Sequence, residues 1–409
     1  MALARNSSIE SATLAEARAE EEVAQARTRR LPAFGLETQV SRLLRPVDLT
    51  FPAGAFGSFP STGPVPSVDT TVTTPAQMTM VFAASASQPL TGLLKAGLSV
   101  QQSEHARALA REDTRATRLG VVTQVKHAYY AILEAMSALE ATETNGRLLA
   151  ELDRVASNRV VLRVALKADG LEVKARLAQN AVTRMALQHR VVSSKEQLNQ
   201  LLGRDVSTSF DVVPVWEALT DSRVTEDHEP VRRPDVQQAT VRAQQAALAV
   251  RQARADALPD VNLLIQTVTP VNIDGAPRNI TSAGVQVKWE PFDWGRKTRA
   301  VASRQLEARR ADRALRDVTV AAQLEINRAR RAVEQARVSL SAASLTRDVA
   351  QEQVRVRTTQ YQSQAVLLTD VLQAQASLAE STNQYQCAVL SLLTAQADLD
   401  LALGEELIP

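Results

Sequence analysis

The sequence predicts an α+β fold that is mostly α, with four β-strands and long coiled-coil helices arranged as an internal duplication. Three observations carry this. Apolar residues recur at 3–4 spacing over stretches longer than a globular core needs, four segments alternate apolar with polar residues, and the order helix, strand, strand, long helix, turn, helix occurs twice.

The composition agrees. Of 409 residues, 45% are hydrophobic, yet only 3% are aromatic and only 14 are Gly, which suits extended helices better than a compact enzyme. The 47 basic and 45 acidic side chains are interspersed, so no basic face marks a nucleic-acid surface. Cys387 is the only cysteine, which excludes an intramolecular disulfide and a thiolate metal cluster. His105, His127, His189 and His228 lack ligand spacing, and no metal or cofactor is expected. No uninterrupted apolar run reaches the roughly 18 residues of a spanning helix.

The duplication is read residue by residue. Thr13 aligns with Thr240, Ala19 with Ala246, Val23 with Val250, Ala26-Arg27 with Ala253-Arg254, and Leu31-Pro32 with Leu258-Pro259. Further on, Pro89 and Lys95 align with Pro291 and Lys297, Leu166 and Asp169 with Leu367 and Asp370, and Leu202-Gly203 with Leu403-Gly404. The boundaries that follow are a first helix over residues 1–31, a strand pair with a long surface loop over 32–90, long helices over 91–203 and a connector over 204–234. The second repeat has its helix over 235–258, its strand pair over 259–291 and its long helices over 292–404, with a tail over 405–409.

Within the helices, Val122, Val125, Tyr129, Ile132, Met136 and Leu139 form one predicted stripe, and Ile326, Ala329, Val333, Ala336, Leu340 and Ala343 another. Residues 299–360 contain neither Pro nor Gly and could extend roughly 90 Å as one helix. Pro32 and Pro259 end the helices before the strands, and Pro234 suits the first turn of a new one.

The strand segments have period two. Val261, Leu263 and Ile265 alternate with Asn262, Leu264 and Gln266; Val285, Val287 and Trp289 alternate with Gln286, Lys288 and Glu290; Phe34, Leu36 and Val40 alternate with Glu37 and Gln39; a fourth strand is expected near 78–87. Segments of about 10 residues fit tilted membrane strands. Four strands cannot close a barrel, and an open edge in lipid leaves backbone groups unpaired, so a membrane sheet of this kind requires an oligomer. If the apolar face meets lipid, Glu37, Gln39, Gln286, Lys288 and Glu290 line a pore. Trp289 and Trp294 suit an aromatic belt at a membrane interface or simple packing.

The paired Ala-Arg and Leu-Pro breaks, Arg233-Pro234-Asp235-Val236, and the run from Glu290 through Pro291, Asp293 and Gly295 to Arg296 resemble the TolC outer-membrane factor family, together with Leu201-Leu202-Gly203 and Leu368-Thr369-Asp370. The match covers essentially the whole chain in two copies. It implies an outer-membrane efflux channel: three protomers share a 12-stranded barrel, their helices form a periplasmic tube, and residues 204–234 lie at its equator. Asp293 is expected to cap the following helix. The resemblance implies helical tips that dock a periplasmic adaptor (membrane fusion) protein near Arg163, Asp169 and Gln364. It also implies a periplasmic gate at Asp370 and Gln373, Gln373 standing where family members carry a second aspartate. A solvated helix acid is the plain alternative for Asp370. Arg163 and Gln364 replace the usual tip glycines. Implied partners are two sister chains (a homotrimer), the adaptor, an inner-membrane RND or ABC transporter, and outer-membrane lipid, with no nucleic acid.

Family members begin with a secretion signal, and Met1 to Ser8 lacks its apolar core. The expectation is a truncated gene or fragment whose start lies upstream. A periplasmic adaptor is the alternative function, but two equivalent long-helix units argue against its single hairpin. A structural coiled-coil protein leaves the alternating strands unexplained, and an enzyme lacks a site: no Gly-x-Ser-x-Gly elbow or phosphate loop is present.

Overall fold

The structure, a computed structural model, describes residues 2–163, 166–215, 233–272, 277–363 and 365–405, apart from the side chains of Thr74 and Asp169. Elements run α1 (Ala2–Arg5), α2 (Ser7–Thr28), β1 (Ala33–Arg42), β2 (Val47–Phe51), β3 (Ser58–Phe59), β4 (Gly63–Pro64), β5 (Thr70–Thr74), β6 (Met78–Pro89), α3 (Gly92–Val161) and α4 (Lys167–Leu201). They continue with α5 (Pro234–Ala255), β7 (Asp260–Val271), β8 (Ile280–Lys288), α6 (Arg296–Gln362) and α7 (Leu368–Leu403). The chain divides into two compact units, one of Met1–Arg18, Arg107–Ala243 and Ala311–Pro409, the other of Ala19–Ala106 and Gln244–Arg310.

The first unit is helical. Its α6 seam is Ala322, Ile326, Ala329, Val333, Ala336, Leu340 and Ala350, and its central members pack on Leu392, Ala395, Leu399, Ala402 and Leu403 of α7. The spacing alternates fours and threes, which keeps one stripe against the partner helix, and the small alanines allow close approach. The α3 stripe is rotated from the expected one. Ile132 is fully buried, but Ala128, Leu133 and Ala135 are buried beside it while Met136 is exposed. The reason is that α3 faces two neighbours. Val125, Tyr129 and Ile132 meet Leu198 and Leu201 of α4 together with Phe210 and Val212.

The described start of the connector is clamped there. Asn199 Nδ2 donates to the carbonyls of Val206 (3.1 Å) and Thr208 (2.8 Å), Lys195 Nζ to that of Phe210 (2.9 Å), and Tyr129 Oη to that of Val213 (2.5 Å). The rest of the predicted connector, residues 216–232, lies outside the described residues, as do 406–409 of the predicted tail.

The duplication is visible in burial and in caps. Ile9 and Val236 are both buried, as are Val23 and Val250. Helices α4 and α7 each end on a glycine with positive φ, Gly203 at 66° and Gly404 at 72°, the left-handed conformation that closes a helix without a Cβ penalty.

The second unit holds a four-stranded antiparallel sheet in the order β1-β6-β7-β8. The long loop predicted between the first two strands is more regular than expected. β2 pairs with β5 and β3 with β4, forming a ribbon, because Val47, Leu49 and Val72 supply β-branched or apolar partners and Gly54, Gly57 and Gly63 supply the positive-φ turns between them. At the opposite end of the sheet, Leu90 N donates to the Val261 carbonyl (2.8 Å), and Lys95 Nζ binds Asp260 Oδ1 at 2.6 Å.

Candidate membrane sheet and helix-turn sites

Register decides which side chains share a face, because directly paired residues point the same way. Phe34, Leu36, Thr38 and Val40 of β1 pair with Ala86, Ala84, Phe82 and Met80 of β6. Those in turn pair with Ile265, Thr267, Thr269 and Val271 of β7. Leu263 and Val261 then pair with Val285 and Val287 of β8. One face is therefore apolar across all four strands. The other carries Glu37, Gln39, Ser85, Ser87, Asn262, Gln266, Gln286 and Lys288, interleaved with Gly35, Ala83 and Gly284 and with the apolar Val81, Leu264, Val268 and Ile280.

The apolar face is uncovered. Phe34 is 82% exposed and Leu36 90% exposed, and every residue of β1 and β8 is exposed. Both edge strands offer unpaired backbone groups on their outer sides.

Four of the five expected pore-lining residues thus share one face: Glu37, Gln39, Gln286 and Lys288. Glu290 does not join them. The β8 ladder ends at Lys288, and Glu290 is held instead by Arg296 Nη2 (2.6 Å), while its backbone carbonyl accepts from Lys297 Nζ (3.0 Å). The period-two pattern continues past the strand in sequence, but Pro291 cannot donate to a ladder.

The strand-to-helix handover is built by Asp293. Its carboxylate accepts from the backbone N–H groups of Lys297 (3.0 Å) and Gly295 (3.1 Å), meeting the expectation that it caps α6. The Lys297 N–H above all holds this carboxyl below the usual aspartate range; desolvation opposes it, and the Gly295 N–H and the Lys297 and Arg296 charges add to it. Trp294 adopts a positive φ of 56°, stacks edge-on against Phe292 at 4.8 Å and is 87% exposed.

In the first unit, Arg163 follows α3 with a φ of 58°. This is the left-handed backbone region that glycine adopts most easily. Asp169 lies in the first turn of α4, its side chain outside the described residues, as is Gln364 altogether. Asp370 lies in the first turn of α7, where its Oδ2 accepts from the Leu367 N–H at 2.9 Å. Asp370 and Gln373 are brought together in a groove of about 540 Å³ between α6 and α7, shared with Glu352, Val356, Arg357, Gln360 and Ala374. Arg163 does not line it.

One cluster escaped the sequence reading. Arg233 donates to the Ala402 carbonyl (2.8 Å), to Asp235 Oδ2 (2.9 Å) and to Glu325 Oε2 (2.6 Å). The signal was available, since Arg233 opens the Arg-Pro-Asp motif. Burial opposes its charge, and the Asp235 and Glu325 carboxylates outweigh burial and hold its pKa above the usual value.

The model of the outer membrane efflux protein family, OEP, matches residues 1–204 and 229–405. The chain belongs to that family. It is an outer-membrane channel component of an efflux system, and the adaptor and structural coiled-coil readings are set aside. Among solved structures it is similar to the CmeC outer membrane channel of Campylobacter jejuni, with 16% identity and a TM-score of 0.78, covering 98% of this chain and 84% of that one. It is also similar to the Neisseria gonorrhoeae MtrE outer membrane channel in its open state, with 18% identity and a TM-score of 0.76, covering 99% and 87%. CusC is matched at 17% identity with a TM-score of 0.77, covering 99% and 90%. At these identities the structures speak for the fold, which is that of TolC-type channels. No curated protein sequence matches the chain. The efflux family and its channel fold are not those of enzymes.

Proposed function

We propose that this outer membrane efflux protein is one protomer of a homotrimer that forms a passive exit duct for small molecules or drugs. The observation that carries the reading is the open sheet: an apolar face uncovered on all four strands, with two unpaired edges. In lipid such edges are costly unless another chain pairs with them, and three copies supply twelve strands. β7, with 12 residues at about 3.4 Å each and a tilt near 40°, spans roughly 30 Å, the thickness of a hydrocarbon core.

In this reading the apolar face meets lipid, and Glu37, Gln39, Gln286 and Lys288 line a wet lumen, with Glu290 at its end as part of the handover to α6. The long helices stand in the periplasm. The turns near Arg163, Asp169 and Gln364 dock a periplasmic adaptor protein, and Asp370 with Gln373 narrows the closed duct. An inner-membrane transporter of the RND or ABC type supplies the energy, and solute diffuses through. The work is conduction, with no bond made or broken.

Single-channel recording in a planar bilayer tests this. Purified chain should run as a trimer in detergent and give discrete conductance steps. A monomer that leaves the bilayer silent would refute it.

A further inference from the structure

Within the helical unit, the duplicated chain holds a template for a contact that one copy cannot make. Each half supplies a long helix, α3 or α6, and a shorter one, α4 or α7. Ile132 of α3 clusters with Leu198 of α4, and their counterparts in the second half, Val333 and Leu399, share a cluster between α6 and α7. A third contact, α3 on α7, joins the halves. There Ser137 Oγ donates to Asn383 Oδ1 (2.8 Å) and to Gln386 Oε1, and Lys126 Nζ donates to Asp400 Oδ2 (3.2 Å). The contacts therefore run α4, α3, α7, α6. The remaining combination, α6 with α4, joins the two helices at which this run ends.

Moving both sides of the α3–α7 junction to their counterparts names the residues that would meet. Ser137 becomes Val338 of α6, and Asn383 and Gln386 become Val182 and Met185 of α4. All three are apolar, and they are exposed at 68%, 62% and 59%. One turn along, Leu133 of α3 and Leu390 of α7 are both buried, and their counterparts are Glu334 and His189, both exposed. A polar set has thus turned apolar on both helices together, and an apolar pair has become an acid and a base. Two surfaces facing water independently have no cause to change in step. Surfaces that touch do, because a Val set against an Asn would strand a buried polar group. The correspondence stops at the connector: Asp400 maps onto Asn199, which is buried and already holds the Val206 and Thr208 carbonyls.

We propose that α4 of a second copy docks on α6 in the register of the α3–α7 junction. Val338 then seats as a knob between the second copy's Val182 and Met185, and Glu334 lies beside its His189. This rests on the homotrimer proposed above. The contact joins opposite edges head to tail, the kind of interface that repeats around a closed ring.

The test uses full-length chain carrying Cys387→Ser, purified in detergent, with its oligomeric state read by native mass spectrometry before oxidation by copper phenanthroline. V182C/V338C should yield covalent dimers and trimers. V182C/L345C uses the same two helices but is displaced by two helical turns, roughly 10 Å. A disulfide spans Cα atoms up to about 7 Å apart, so this pair should cross-link on the order of tenfold less. Without engineered cysteines, Glu334→Arg should lower the trimer fraction, and adding His189→Glu should restore it. A trimer in which V182C/V338C links no better than V182C/L345C overturns the seam and leaves the trimer standing. A double reversal no more trimeric than Glu334→Arg alone also overturns the register. A wild type found only as monomer overturns the homotrimer and the seam together.

Discussion

Asn6 and Arg233 hold the same position in the two halves of the chain and grip the same place on their partners. Asn6 Nδ2 donates to the Leu201 carbonyl at 2.9 Å, and Arg233 Nη1 donates to the Ala402 carbonyl at 2.8 Å. Each carbonyl belongs to the last turn of the helix that ends its half, just before Gly203 or Gly404. Each gripping residue also stands at the head of a helix, α2 or α5. The duplication therefore preserves a latch between the first helix and the last helix of each half, and varies its chemistry.

The two latches differ in strength. Asn6 makes a neutral bond and accepts from the N–H of Ser8 (2.9 Å), whereas Arg233 adds two carboxylates, with a side chain only 10% exposed. Truncating Arg233 to Ala strands a buried carbonyl and removes charge-assisted bonds, which costs on the order of 2–4 kcal/mol. Asn6→Ala loses a cap and one bond, about 1–2 kcal/mol. Thermal melts in detergent should place Arg233→Ala below Asn6→Ala, and both below wild type. Equal melting would show that the carboxylate pairs add nothing.

The glycines behind the latches predict an opposite asymmetry. A Cβ on Gly203 would stand 2.2 Å from the Arg5 carbonyl oxygen, which is backbone and cannot turn aside. A Cβ on Gly404 would meet the Arg233 Cα at 3.2 Å, a contact that a small shift relieves. Both positions carry positive φ, so each Ala variant bears about 1 kcal/mol of strain. Gly203→Ala should therefore lose most folded protein in an expression assay, while Gly404→Ala remains folded with a modestly lowered Tm. Equal yields would refute the difference.

Asp293 gives a pH dependence whose sign can be worked out. Its carboxyl titrates lower in the folded chain than in the unfolded one, the Lys297 N–H being the largest cause. Its contribution is complete above the ordinary aspartate value near 4 and is lost as pH falls through the lowered folded value. Amide exchange at Gly295 and Lys297 should be slow at neutral pH and quicken in acid beyond the intrinsic pH trend. Asp293→Asn keeps an acceptor that does not titrate, so its protection should stay flat through the same window. A wild type as flat as this variant would remove Asp293 from the explanation.

How much of this was legible in advance depended on whether the information was local. The α6 stripe from Ile326 to Ala343 was readable because one helix meets one partner along it, so the period alone picks the face. The α3 stripe was not, because α3 packs on two sides and Met136 and Ala135 exchange roles. Strand faces were readable from alternation, but the end of β8 was decided by Lys297 and Arg296 pulling Glu290 toward α6, which alternation cannot register. The ribbon β2–β5 hid because its pairs bridge some twenty residues of Pro- and Gly-rich chain. Arg233 was noticed as a motif, while its partners Glu325 and Ala402 are far away in sequence.

The faces of β1 allow the sharpest comparison, since Leu36 and Glu37 are neighbours that point to opposite sides. Leu36 pairs with Ala84 on the apolar face and Glu37 with Ala83 on the polar one. In the proposed orientation an Arg at position 36 would carry a charge into hydrocarbon, at a cost of about 2–4 kcal/mol near the midplane of a membrane barrel. In the same orientation an Arg at position 37 would remain in a wet lumen, where the cost is small and the change appears in ion preference. Leu36→Arg should therefore reduce the trimer recovered in outer-membrane fractions severalfold. Glu37→Arg should insert as wild type does and shift the reversal potential under a salt gradient toward anion preference. Because a strand slipped by one residue exchanges the two faces completely, intermediate behaviour is not available to a correctly registered sheet. If Leu36→Arg inserted normally and Glu37→Arg failed, the apolar face would have to line the lumen, and the orientation argued from the uncovered Phe34 and Leu36 would be reversed.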